Sequence, residues 1–138
     1  MTFEVKRSEW VRGGIGVSAL HVRESSRRAL YPDRQRCCLG FFANACGIPD
    51  SELENLSAPA MVEVKLPQDA GHEAWNGLLE GRALAPLYRQ NSRLCQLIMA
   101  CNDQSGDHDT TARERDNVRE LQLTKLFQEL DHTVVFVD

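Results

Sequence analysis

The sequence predicts an α+β domain, a small mixed sheet with N- and C-terminal strands packed against about three helices. Phe3-Glu4-Val5-Lys6 alternates apolar and polar residues at the period of a half-buried strand. His132 to Val137 is a β-branched, mostly apolar run at the other end of the chain, which predicts a strand covered on both faces. Between them, apolar residues recur twice at i, i+3, i+4, i+7, the spacing of one helical face.

The elements follow in order. After the first strand, Gly13-Gly14-Ile15-Gly16 predicts a turn, and Val17 to Val22 a second strand. A helix is expected from about Arg34 to Cys46, capped by Asp33, ended by Gly47 and blocked by Pro49. Its apolar face is Cys38, Leu39, Phe41, Phe42, Ala45 and Cys46. The opposite stripe, Gly40, Ala43, Asn44 and Gly47, is small enough to admit a neighbouring backbone or a ligand. Asp50 to Leu53 begins a short helical turn, and Met61 to Leu66 alternates like a strand. A turn of helix is expected around Trp75 to Leu79. Asn91 or Ser92 is placed to cap a helix carrying Leu94, Leu97, Ile98 and Cys101. Thr111-Ala112-Arg113-Glu114 has the pattern of a capping box and opens a helix to about Leu130. That helix carries two stripes. Leu123, Leu126, Phe127 and Leu130 form one, while Val118 and Leu121 lie nearly opposite and predict either a bend or a contact with another subunit.

Length and composition point to one domain spanning 1–138, with enough chain to bury a core unaided. No apolar run reaches the length of a membrane span, and Met1 to Arg7 lacks the apolar core of a signal peptide, so a cytoplasmic protein without a membrane partner is expected. The five cysteines, Cys37, Cys38, Cys46, Cys95 and Cys101, are odd in number and lie in apolar stretches, which predicts buried thiols rather than disulfides.

The net charge of −4 is unevenly spread: residues 1–48 carry eight basic and four acidic side chains, and residues 49–138 carry eight and sixteen. This overall acidity speaks against broad binding to duplex nucleic acid. The arginine run Arg23, Arg27, Arg28, Arg34 and Arg36 is suited to phosphate, yet only Tyr31 interrupts it with an aromatic ring.

Motif chemistry is sparse. No Cys-x-x-Cys pair is present, and the four histidines fall in separate segments, so no metal and no cofactor are expected. With Gly106 as the sixth position of a calcium loop, Asp103, Ser105, Asp107 and Asp109 fall at coordinating positions, but the closing carboxylate is replaced by Ala112. The glycines at 13, 14 and 16 lack the lysine and helix of a phosphate loop. Cys37 and Cys38, beside Arg34 and Arg36, are the candidate nucleophiles of a small cysteine- or carboxylate-dependent enzyme, but no histidine partner is evident and no catalytic residue is assigned.

Several segments together carry a resemblance: Lys6 with Trp10-Val11-Arg12-Gly13, Arg36-Cys37-Cys38-Leu39-Gly40-Phe41, Ala45-Cys46-Gly47-Ile48-Pro49, Asn91-Ser92 leading to Leu97 through Asp103, and Arg119-Glu120 leading to Leu126-Phe127 and the closing Val135-Phe136-Val137-Asp138. With them the chain resembles a family of small accessory proteins encoded by bacteriophages and prophages. The resemblance implies a protein acting in the host-cell cytoplasm, by binding, against a host defence system. Two modes are open: sequestering a nucleotide-like anionic signal, or inhibiting a host enzyme or defence complex by protein contact. For an anionic ligand the expected contacts are Arg12, Arg36, Asn44, Asn102 and Asp103, with the ring of Trp10 stacking on a base. The double-striped last helix predicts a homodimer or higher oligomer.

Overall fold

The computed structural model describes residues 1–12, 36–53, 85–104 and 109–138, with backbone alone for 85–92. The strands expected over 17–22 and 61–66, the helical turn at 75–79, the glycine turn after Arg12 and the arginines from 23 to 34 lie outside the described residues.

The fold is α+β. Strand β1 (Thr2–Lys6) and strand β2 (Thr133–Val137) pair in parallel, with Thr2 opposite Thr133 and Lys6 opposite Val137. Backbone bonds extend the ladder at both ends, from Thr133 N–H to Met1 O (2.9 Å) and from Arg7 N–H to Val137 O (2.8 Å). Parallel pairing of the chain's two ends requires everything between them to serve as the crossover. Phe3, Val5 and Val134 are buried, with Phe136 packed against them. Val135, on the opposite face, is 41% exposed, so β2 is covered on one side only and the two-sided covering is corrected.

Helix α1 (Cys38–Ala45) lies against β1. Phe42 meets Phe3 and Phe127 with ring centroids 5.3 and 5.6 Å apart, and Phe3 meets Phe127 at 4.9 Å, forming the aromatic centre of the core. The helix is buried nearly all round, Gly40 and Ala43 included, while Ala45 is exposed. Of the small-residue stripe, Gly40 and Ala43 are therefore packed against protein, while Asn44 is half-buried and Gly47 exposed.

The start of α1 also differs from expectation. Arg36 is held in a parallel bridge with Trp10, with Val11 N–H donating to Arg36 O (2.7 Å) and Arg36 N–H to Glu9 O (3.2 Å). Helical geometry begins only after Cys37, whose own side chain makes no capping bond. The end of α1 is as expected. Gly47 (φ +90°) closes a Schellman turn, with Ile48 N–H bonded to Ala43 O and Gly47 N–H to Asn44 O. A Cβ built on Gly47 meets nothing within 4 Å, so the cost of a substitution there is purely conformational. Gly47→Ala is expected to destabilise the fold by about 1–2 kcal/mol, readable as a lowered midpoint in urea with an unchanged slope.

Helix α2 (Asp50–Leu53) buries Leu53. Helix α3 (Ala85–Asp103) begins before Asn91 and Ser92, so neither caps it. Pro86 falls in its first turn, where the missing N–H is tolerated. Helix α4 (Ala112–Gln128) opens with the expected box: Glu114 N–H donates to Thr111 Oγ1, and Thr111 N–H donates to Glu114 Oε2. Helix α3 packs on α4, and α4 on β2. No helix among the described residues is long and apolar enough to cross a membrane.

At the turn into β2, the ring of His132 lies 4.9 Å from that of Phe42, and its Nδ1 lies 3.4 Å from the Met1 amine. Burial and the neighbouring amine both lower its pKa. The unfolded chain therefore binds the proton more readily. The stabilising effect of neutral His132 is complete above the ordinary histidine value, near 6.5, and is lost as pH falls below it. Denaturation midpoints from pH 7.5 to 5 should decline less in His132→Gln than in the parent.

Candidate functional site

The residues expected to take a ligand fall into two adjoining clusters, joined where Trp10 bridges Arg36. The first is centred on Asn102, fully buried in the last turn of α3. Its Oδ1 accepts from Trp10 Nε1–H (2.7 Å) and from Cys38 N–H (3.2 Å). Its Nδ2 donates to Val11 O (3.1 Å) and to Asp103 Oδ1 (2.9 Å). One amide thus ties the chain after β1, the start of α1 and the end of α3 together, and supplies the cap that Cys37 lacks. Trp10 is fully buried, with its ring 5.0 Å from that of Phe136, which leaves no face open to a base; the stacking role is corrected.

Arg12 lies over the Trp10 ring at 4.7 Å. Its Nη1 donates to Arg7 O and Trp10 O, and its Nη2 to Asp116 Oδ2 at 2.7 Å. Asp116 also accepts from Arg119. Arg119, only 6% exposed, donates through Nε to Cys101 O (3.3 Å) and through Nη2 to Gln104 O. A cation thus closes the carbonyl end of α3, where the helix dipole favours it. The expected set lacked Arg119, although it stands one turn before Leu123 on the core-facing stripe of α4.

The second cluster surrounds Arg36. Its guanidinium donates twice to Asp50 (3.2 and 2.7 Å) and once to Glu9 Oε2 (2.6 Å). Asn44 Nδ2 donates to Ile48 O and Asp50 Oδ1, both at 2.9 Å. Asp50 dominates the upward shift of the Arg36 pKa. Lys6 Nζ also reaches Glu9 (3.3 Å), so two cations face two carboxylates and the cluster holds no excess positive charge for an anion. In the first cluster, Arg12 and Arg119 share the carboxylate of Asp116, and Asp103 accepts from Asn102 beside them, so two cations stand with two carboxylates. The five polar residues proposed to contact an anion are all engaged within the chain.

The thiols follow the same logic. Cys37, Cys38, Cys46 and Cys101 are buried, Cys95 is half-buried, and all are free. Burial pushes Cys37 up to about 12 and Cys38 well above its ordinary range. Neither is poised as a thiolate nucleophile near neutrality. No grouping of three or more metal-ligating side chains exists among the described residues.

Besides Met1 and Val135 at the sheet, the exposed large apolar side chains among the described residues lie on the outer helical layer. Leu97 on α3 is 43% exposed, and Val118 and Leu121 on α4 are 56% and 57% exposed. The seam between the two helices holds a cavity of about 240 Å³ beside Cys101, Arg115 and Val118. It continues into a wider trough lined by Leu97, Ala100 and Leu126, with Asp103, Lys125 and Glu129 also on its walls. The second stripe of α4 thus faces solvent on a continuous helix. No family model, curated protein or solved structure matches the chain.

Proposed function

We propose that the chain is a phage accessory protein that works in the host-cell cytoplasm by binding a host protein, most directly a component of a defence system. The observation that carries this reading is the contrast just described: the arginines and amides are tied to one another, while the apolar seam of α3 and α4 stands open. Sequestering an anionic nucleotide would require breaking the Arg36–Asp50–Glu9 cluster, and nothing in its charge balance favours that exchange. The partner that fits the seam is an amphipathic helix with basic residues flanking its apolar side chains. Leu97, Ala100 and Leu126 supply the apolar trough, Asp103 and Glu129 supply negative walls, and residues 49–138 carry twice as many acidic as basic side chains.

The test is capture of tagged protein from infected cells, with Leu97→Asp as the paired variant. The reading expects a host protein retained by the parent and released by Leu97→Asp, the two melting alike, with the captured protein's contact mapped to a basic amphipathic helix. Retention that is indifferent to Leu97 but abolished by Arg36→Ala contradicts it.

A further inference from the structure

The outer face of α4 carries a second pattern at the border of the seam, where Glu114 and Val118 edge the cavity and Lys125 the trough. Glu114, Val118, Leu121 and Lys125 recur at i, i+4, i+7 and i+11, the spacing of a coiled-coil seam, and all four are exposed. Val118 and Leu121 are 56% and 57% exposed. The order of the four is self-complementary: acidic, apolar, apolar, basic. Laid parallel on itself, the face would set Glu114 against Glu114 and Lys125 against Lys125. Laid antiparallel, it sets opposite charges together at both ends.

We propose that a second copy of this chain packs on that face, α4 against α4 and antiparallel, about a two-fold axis passing midway between positions 119 and 120. In that register Val118 meets the partner's Leu121 and Glu114 meets the partner's Lys125, each contact occurring twice, as an isologous interface requires. Asn117 then lies across from the partner's Gln122. Two apolar side chains per copy make a small interface, so the association is weak and concentration-dependent. Lys125 also stands on the wall of the trough beside Leu97, so the trough borders this contact and each copy of a dimer would carry one.

Sedimentation velocity at rising protein concentration tests the proposal. The parent should shift from monomer towards dimer, and Leu121→Asp should remain monomeric with an unchanged melting temperature. Lys125→Glu alone and Glu114→Lys alone should each weaken association at least tenfold, because each sets like charges together twice. Mixing the two variants should restore it as a heterodimer, which a loss of folding in either variant cannot mimic. A parent that stays monomeric to its highest soluble concentration overturns the proposal, as does a mixture no more associated than its components. Capture of a host protein is read through Leu97, which is not one of the four residues of this pattern, so the two readings fail on different variants.

Discussion

Asn102→Leu is expected to lower stability by about 3–5 kcal/mol, the largest effect of any single polar substitution among the described residues. The substitution removes an acceptor shared by two buried donors, Trp10 Nε1–H and Cys38 N–H, and a donor to Val11 O. A buried polar group left without its partner loses about 1–3 kcal/mol, and the three groups belong to separate parts of the chain. The loss is comparable to the whole margin of a small domain, about 5–15 kcal/mol. Urea denaturation followed by tryptophan fluorescence measures it, since Trp10 reports on the same contact. A loss below about 1 kcal/mol, the size of an ordinary exposed cap, would mean that Asn102 only ends α3. Exposed Gln128→Ala, on α4, serves as the neutral control.

Arg119→Met should cost about 2–4 kcal/mol. Methionine preserves much of the apolar stem but removes the donors to Cys101 O, Gln104 O and Asp116. Hydrogen bonds made by a charged group are worth about 1.5–3 kcal/mol each; Asp116 keeps Arg12 as a partner, so its share of the loss is smaller. Arg119→Lys should recover only part of the loss, because a single ammonium cannot reach three acceptors as the planar guanidinium does. Full recovery by lysine would reduce the role of Arg119 to its charge at the end of α3.

The elements legible in the sequence are those whose causes are local. The alternation at Phe3 and Val5, the Thr111–Glu114 box and the Gly47 stop each act within a few residues, and each stands where expected. The start of α1 was not legible because its cap is Asn102, 64 positions away in sequence. The site residues were legible as residue types but not in their roles. Arg36 resembles an anion ligand only until Glu9 and Asp50, 27 and 14 positions distant, are brought to it. Asn102 resembles a helix end, and its burial follows from three segments converging on it. Arg119 was missed because a charged side chain does not register in an apolar stripe, although its spacing from Leu123 and Phe127 puts it on the buried face. For Val118 and Leu121 the periodicity left a bend or a subunit contact open; α4 runs continuously through them and both are exposed.

The central claim is that the arginine and amide clusters hold the fold while recognition belongs to the outer helices. Isothermal titration calorimetry of the parent and of Arg36→Ala against a panel of cyclic and linear nucleotides tests it most directly. The account predicts no saturable heat with any nucleotide for either protein. Micromolar binding by the parent that Arg36→Ala weakens tenfold or more would contradict it and return Arg36, Asn44 and Asn102 to the role of ligand contacts.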